Sequence, residues 1–212
     1  MRAALKGALQ ALGLPYSAAA HAAYRRINDA LWAAYRRGEI SQPALARERF
    51  RQLLKEMGAH PRAARRLGET YLDHLARRGD RLAGCRPVLL QLRKRYRLGV
   101  VTNGIDRVQR SRLAVSGLAP LFEVVVTSQG CGFAKPDPRI LHVALDALGV
   151  SPGHALYVGD DPPTDGGAAT AARVRFCWMD RGHPVAGRRP RRRVENLREL
   201  LPLLLPGPPR TL

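Results

Sequence analysis

Lysine and acidic residues are scarce in this 212-residue sequence, while arginine is abundant. Asp and Glu number 17 against 36 Lys and Arg, which gives a formal net charge of +19. Such a charge is typical of a protein that binds nucleic acid or another anionic surface, but it also arises from arginines on solvated helix faces. The arginines are spread over most helical segments without interleaved aromatic residues, which favours the second interpretation. A nucleic-acid partner is therefore not expected.

Cysteine and long apolar runs are also rare. Cys85, Cys131 and Cys177 are odd in number and form no C-x-x-C pair, which argues against a disulfide framework and a cysteine zinc site. The alanine-rich opening is similar to a signal peptide, but Lys6 and Gln10 interrupt its apolar positions, whose spacing is that of an amphipathic helix. No apolar run approaches the roughly 20 residues of a membrane span. We therefore expect a cytoplasmic protein that has no membrane partner.

Residues 1–82 have the pattern of a helical region. Apolar residues recur at three- and four-residue spacing from Tyr24 to Tyr35, which predicts an amphipathic helix that ends at Gly38. Ser41, followed by Pro43, marks the start of a second helix, and a third amphipathic pattern comes after it. No strand pattern interrupts this region, so we expect a separate helical domain.

Residues 83–212 differ in character, because short β-branched runs alternate with helical patterns. The predicted strands are Arg97–Thr102, Phe122–Thr127, Ala155–Val158 and Val174–Trp178, and the predicted helices are Val108–Ser116, Arg139–Leu148 and Asp165–Ala172. This alternation indicates a parallel sheet in a Rossmann-like α/β fold. Ligands bind beyond the carboxyl ends of the strands in such sheets, so the candidate site is expected there.

Polar residues follow the first of these strands. Thr102 supplies a hydroxyl group and Asn103 an amide, and the turn continues with Gly104. Backbone N–H groups in such a turn can face an anion. We therefore predict that these three residues bind the anionic part of a substrate.

Acidic residues follow the third strand, in "LYVGDDPPTDGG". Asp160, with Asp161 or Asp165, can bind a hard cation such as Mg²⁺, which prefers carboxylates and substrate oxygens. Lys135, in "GFAKPDPRI", stands out because the chain has so few lysines. A metal ion, a lysine and the Thr102 hydroxyl at one edge of a sheet indicate phosphoryl transfer, with Lys135 and Thr102 as the candidate catalytic residues. Lys135 is also predicted to bind the phosphate of the substrate.

These motifs together resemble the haloacid dehalogenase superfamily of phosphatases. "VVTNG" at Thr102, "AKPDP" at Lys135 and "VGDDPPTD" at Asp160 are similar to its second, third and fourth motifs, in order and on the expected elements. The segment "YRRINDALWAAYRRGEI…RERF", Tyr24–Phe50, resembles the helical cap of the pyrimidine 5′-nucleotidase group. The resemblance implies a Rossmann-like core with an inserted cap, Mg²⁺ as cofactor, and a nucleoside monophosphate, such as a noncanonical pyrimidine nucleotide, as substrate.

The first motif of that superfamily, Asp-x-Asp-x-Thr at the end of the first core strand, occurs nowhere in the sequence. In the family its first Asp attacks phosphorus and its second is the general acid. No residue of this sequence is therefore identified as the nucleophile. Either the chain is truncated at its N-terminus, as a misplaced start would cause, or the protein is catalytically dead. In the family the absent strand lies between the strands that end at Thr102 and Val158, so the sheet lacks an inner strand unless it closes up.

Two further functions stay open at this stage. One is a noncatalytic anion or nucleic-acid binder that uses an arginine cluster, for which the alternative is a charged, solvated edge strand. This cluster comprises Arg188, Arg189, Arg191, Arg192 and Arg193. The other is dehalogenation of a small acid, a reaction without a metal requirement. Asp160 and Asp165 favour a phosphatase over a dehalogenase, because they can bind the metal ion that dehalogenation does not require.

Overall fold

A computed structural model describes residues 2–182 and 189–205, and it divides into two compact units, Met1–Arg78 and Gly79–Leu212. The first unit contains four α-helices: α1 (Arg2–Ala11), α2 (Ala18–Arg36), α3 (Gln42–Glu56) and α4 (Ala64–Ala76). Its described residues contain no strand, in agreement with the sequence pattern. The position of the domain boundary at residue 82 stays a prediction.

Serine side chains begin two of these helices. Ser17 accepts a hydrogen bond from Ala20 N at the start of α2, and Ser41 accepts one from Ala44 N at the start of α3. Each bond satisfies a backbone donor that has no partner within the helix. Between the helices, Gly38 has a φ of +75°, which a residue with a Cβ rarely adopts. The predicted end of one helix and start of the next are therefore confirmed.

Three aromatic rings form the centre of the first unit. The ring centroids of Tyr24, Phe50 and Tyr71 lie 5.3–5.9 Å apart, which is a favourable distance for aromatic pairs. All three residues are buried. Gly68 on α4 makes room for Phe50, because a Cβ at this glycine would lie 3.2 Å from the phenyl ring. The guanidinium carbon of the buried Arg49 lies 4.9 Å from the Phe50 centroid, so a cation covers one side of the cluster.

The second unit alternates strands with helices. Its strands are β1 (Gly99–Thr102), β2 (Val124–Thr127), β3 (Leu156–Gly159), β4 (Arg175–Met179) and β5 (Arg193–Val194). Its helices are α5 (Cys85–Leu92), α6 (Asp106–Val115), α7 (Ser128–Cys131), α8 (Arg139–Leu148), α9 (Gly167–Ala171) and α10 (Leu200–Leu204). All strand pairs are parallel, so the predicted α/β fold is confirmed.

The strands form two separate sheets rather than one. Among the described residues, β1 pairs with β2 alone, and the other sheet has the order β3-β4-β5. Leu98 O, just before β1, accepts a hydrogen bond from Glu123 N, just before β2. The backbone N–H and C=O groups of successive residues in a strand point to opposite sides. Those of Gly99 and Val101 therefore point away from β2. Across the described residues, β1 and β3 therefore each have one edge without a strand neighbour. We call the region between these two edges, across which the Tyr157 hydroxyl lies 3.3 Å from Val101 O, the open slot.

The segment after β3 differs from the predicted helix that begins at Asp165. A π-helical turn spans Pro162–Gly166, and α9 begins only at Gly167. Asp161 causes this local structure, because its carboxylate accepts bonds from the backbone N (3.4 Å) and the hydroxyl (2.8 Å) of Thr164. The turn draws the chain inward, and Asp165 is buried with only 5% of its surface exposed.

Arg173, after α9, has a left-handed backbone with a φ of +58°. This conformation costs an L-residue roughly 1–2 kcal/mol, whereas glycine adopts it freely. We expect Arg173→Gly to raise the free energy of unfolding by about 0.5–1 kcal/mol, as measured by urea denaturation. The control is Arg175→Gly in β4, where glycine weakens a strand and stability should fall. A fall in the free energy of unfolding on Arg173→Gly would contradict the view that the left-handed backbone of Arg173 is strained.

Arg193 belongs to the edge strand β5, where it pairs with Asp180 at 3.3 Å and Glu195 at 2.8 Å. The backbone of the preceding arginine also takes part in the sheet edge, because Arg192 O accepts a bond from Trp178 N. Arg188, the first member of the predicted cluster, lies outside the described residues. No helix in the described ranges is long and apolar enough to cross a membrane.

Candidate active site

The turn after β1 is held by side-chain hydrogen bonds of its own residues. Thr102 is the last residue of β1, and its Oγ1 accepts a hydrogen bond from Gly104 N at 3.2 Å. Asn103 fastens this turn to the loop before α8 with two bonds of 2.8 Å. Its Nδ2 donates to Lys135 O, and its Oδ1 accepts from Lys135 N. The sequence places these residues 32 positions apart, and the fold brings them into direct contact.

Lys135 points its ammonium group at three acceptors. Its Nζ lies 2.7 Å from Asp165 Oδ1, 2.7 Å from Tyr157 Oη and 3.4 Å from Val101 O. The Lys135 and Asp165 side chains are only 10% and 7% exposed, so water screens their attraction weakly. The cation of one predicted motif is therefore paired with an acid of another. We call the group formed by Lys135, Asp165 and Tyr157 the lysine network.

Tyr157 is a member of this network that the sequence analysis missed. Its hydroxyl, on β3, lies 3.3 Å from Val101 O of β1 and 3.4 Å from Asp165 Oδ1. Burial, followed by the nearby Asp165 carboxylate, raises the pKa of Tyr157, so the phenol stays protonated at neutral pH. A side chain from β3 thus reaches the free edge of β1 across the open slot. The only sequence signal was a phenol within an apolar strand.

The three acids after β3 have different environments. Asp165 Oδ2 accepts a bond from Asp161 N at 3.2 Å, while Asp161 uses its own carboxylate to cap the π-helical turn. Asp160 is half exposed and pairs with Arg181 at 3.9 Å. Asp165 also approaches Gly159 closely, because a Cβ at that glycine would lie 2.2 Å from Asp165 Oδ2. Glycine at the end of β3 is therefore what allows the acid to reach Lys135.

A second group of polar contacts supports the Thr102 turn from the side of β2. Thr127 Oγ1 donates to Asp106 Oδ1 at 3.0 Å, and Asp106 N donates to Gln129 Oε1 at 3.0 Å. The hydrogen bond from Arg110, together with the one from Thr127, lowers the pKa of Asp106, so the group is an anion at neutral pH. These residues tie the start of α6 to the start of α7. They were not among the predicted site residues.

The fold joins Asn103, Lys135 and Asp165 by direct hydrogen bonds. Thr102 and Gly104 lie in the same turn as Asn103, and Asp161 contacts Asp165 through its backbone. Carboxylates suit Mg²⁺ chemically, but the described residues contain no cluster of three His, Cys, Asp or Glu side chains that could hold a metal ion. In this arrangement the acids do not fit a metal site. The catalytic and metal-binding roles of these residues stay predictions.

Comparisons with known proteins agree with the motif pattern. The sequence pattern of the family described as haloacid dehalogenase-like hydrolase matches residues 41–179. The phosphoserine phosphatase of Thermus thermophilus is 40% identical over 184 residues, which cover 81% of this chain and 72% of that protein. The pyrimidine 5′-nucleotidase YjjG of Escherichia coli is 30% identical over 184 residues, which cover 85% of this chain and 80% of that protein.

A solved structure has a similar fold across most of its length. The crystal structure of the putative HAD-hydrolase YfnB of Bacillus subtilis, bound to magnesium, matches with a TM-score of 0.86 and 28% identity. The match covers 95% of this chain and 89% of that one. The sequence and structural matches thus cover both units described above.

Proposed function

This chain belongs to the haloacid dehalogenase-like hydrolases, and from that premise we propose that it is the greater part of a phosphomonoester hydrolase of the pyrimidine 5′-nucleotidase type. The observation that carries the proposal is the convergence of the Thr102 turn and Lys135 at the carboxyl ends of β1 and β3. A phosphoryl group needs donors and positive charge there, because its transfer is catalysed mainly by positioning and charge stabilisation.

Each residue has a distinct part in this proposal. The Thr102 hydroxyl binds a phosphoryl oxygen, together with backbone N–H groups of the turn other than that of Gly104, which donates to Thr102 Oγ1. Asn103 keeps the turn against Lys135. The Lys135 ammonium stabilises the negative charge of the phosphoryl group. The resemblance of Tyr24–Phe50 to nucleotidase caps makes the helical first unit the candidate cap in this proposal.

The nucleophile in this proposal comes from a strand that fills the open slot. Strands are parallel within each of the two sheets, and the proposal places one further parallel strand between β1 and β3. Its carboxyl end then lies beside the Thr102 turn and Lys135. An aspartate at that end is placed to attack the phosphorus atom of a bound monoester, and a second acid two residues later is placed to protonate the leaving alkoxide.

Dependence on Mg²⁺ is part of the proposal for this completed form only. The acids that would supply ligands are Asp160 and Asp165, with Asp161 as the alternative third member. Bound Mg²⁺ would add positive charge next to the transferred phosphoryl group. The described arrangement does not hold such an ion, so no step of the reaction is assigned to it.

The test adds a β-strand ending in Asp-x-Asp-x-Thr to the N-terminus and measures phosphate release from a panel of monoesters. We expect turnover of pyrimidine nucleoside monophosphates and its abolition by a chelator. The matched control carries Asn in place of the first added Asp and should be inactive, because the carboxylate is the attacking group. No turnover by a folded, extended protein on any monoester would overturn the proposal.

The panel also separates the proposal from two other activities. O-phosphoserine is included because the 40%-identical relative is named a phosphoserine phosphatase. Turnover of O-phosphoserine above that of every nucleotide would replace the substrate class and keep the reaction. Halide release from a 2-halo acid, without phosphate release, would instead indicate a dehalogenase. Translation of the DNA upstream of Met1 shows whether the gene itself encodes such a strand.

A further inference from the structure

An open groove in the second unit is formed by β5, the residues just before it, and α10. Its volume is about 630 Å³, which is within the range of small-molecule sites (roughly 300–1,000 Å³). Three consecutive arginines, 191 to 193, line it together with Pro202 and Leu203. β4 separates β5 from β3, whose carboxyl end precedes Asp160. The groove is therefore a different place from the candidate active site.

In the part of the chain that the structure describes, two of these arginines have no anionic partner. Arg193 is engaged, because two carboxylates pair with it. Glu199 is the acid among the lining residues, and both of its carboxylate oxygens accept hydrogen bonds within its own loop. Arg191 and Arg192 are exposed, and their guanidinium groups form no ion pair or hydrogen bond with any described residue. Two positive charges in the groove are thus free to bind an anion.

The groove also has an apolar lining. Leu203 is 40% exposed although it is a large apolar residue, and Pro202 beside it is exposed as well. Charges of one sign in a cleft with apolar walls concentrate their electric field there, so the groove attracts anions. Charge alone is enough to protect an edge strand such as β5, and that role has no need of the exposed leucine. Charge and apolar surface together fit a ligand that has both an anionic group and an apolar part.

We propose that this groove binds a phosphate-bearing small molecule with an apolar part. Arg191 and Arg192 bind its phosphate group, and Leu203 packs against its apolar part. Phosphate is the anion of choice because a guanidinium group can donate two parallel hydrogen bonds to phosphate oxygens. The site is separate from the reaction of the proposed function, and its test measures binding without turnover.

Equilibrium dialysis of the full chain against 1-naphthyl phosphate tests the site. The unaltered chain should bind this probe more tightly than orthophosphate or 1-naphthol, each of which carries only one part of it. The Arg191→Gln/Arg192→Gln double variant should bind the probe at least about tenfold more weakly, because charge-assisted hydrogen bonds are lost. Leu203→Ser should weaken binding of the probe and leave binding of orthophosphate unchanged, because it removes apolar contact alone.

The matched control is the Arg62→Gln/Arg66→Gln double variant. It removes two exposed arginines of the first unit and lowers the net charge by the same amount. It should bind the probe like the unaltered chain. Lys135 is intact in every variant, so any binding of the probe at the Thr102 turn is common to all of them and cancels in the comparison.

Two results would overturn the groove as a small-molecule site. One is equal binding of the probe by the unaltered chain and the Arg191→Gln/Arg192→Gln variant, or an equal loss in the control. The other is tighter binding of phosphatidate vesicles or of a single-stranded oligonucleotide that the same double variant loses, since the arginines would then bind a membrane or a nucleic acid. An inactive extended protein would refute the proposed function and leave these binding results unchanged.

Discussion

The Asp165→Asn variant is expected to lose about 3–5 kcal/mol of unfolding free energy, because it leaves the buried Lys135 cation without its counter-ion. The Lys135 side chain is 10% exposed, so water cannot replace the lost carboxylate. Asn keeps the size of Asp, removes the charge and replaces one of the two acceptor oxygens by an NH2 donor. The loss is large compared with the 5–15 kcal/mol by which proteins of this kind are typically stable (about 0.1 kcal/mol per residue).

Trp178 makes the measurement specific. It is buried on β4 opposite Gly159 of β3, so its fluorescence reports on this sheet during urea unfolding. The only other tryptophan, Trp32, is replaced by Phe in all variants. The control is the Lys135→Met/Asp165→Asn double variant, which removes both charges and should recover most of the loss. Equal instability of the double and single variants would show that the charge pair is not the cause.

The Phe50→Ala variant should have an effect of similar size in the first unit. Phe50 is 1% exposed and packs against the rings of both Tyr24 and Tyr71, so its removal leaves a cavity in the centre of this unit. Truncation of a buried phenylalanine costs about 3–5 kcal/mol. Chemical denaturation followed by far-ultraviolet circular dichroism measures the change, since α1–α4 are the longest run of helices in the chain.

Arg47→Ala is the control for this substitution. It lies on the same helix, α3, but is exposed, and a surface change of this kind typically alters stability by less than about 0.5 kcal/mol. A loss of unfolding free energy below about 1 kcal/mol in Phe50→Ala would contradict the packing described here, because a cavity of this size destabilises a protein by more than that.

Much of the fold follows from local patterns in the sequence. The helix over Arg139–Leu148 was predicted with the observed limits, and the four predicted strands lie within two residues of β1–β4. These elements have strong periodicity and clear end signals, such as the Gly149 that follows α8 with a φ of +60°. The start of α9 was wrong because Asp161 caps a π-helical turn, and side-chain capping of that kind is not visible in apolar spacing.

The contacts between the site residues were harder to predict than the identity of those residues. Each motif places a residue at the end of an element, but no motif states which acid Lys135 selects as its partner. That choice depends on the inward course of the π-helical turn and on the open slot, both of which are tertiary features. Tyr157 was missed for the same reason, since a half-buried phenol on a strand is ordinary until its neighbour across the slot is known.

The close approach of Gly159 to Asp165 restricts which side chains the two positions can accept together. A methyl group at 159 would meet Asp165 Oδ2 at 2.2 Å and Asp165 Cβ at 2.7 Å, so the acid must move for any other residue to be accepted. Once the acid is lost, the reason for the glycine is lost with it. An aspartate at 165 in contact with Lys135 is therefore compatible with glycine at 159 and not with a residue that carries a Cβ.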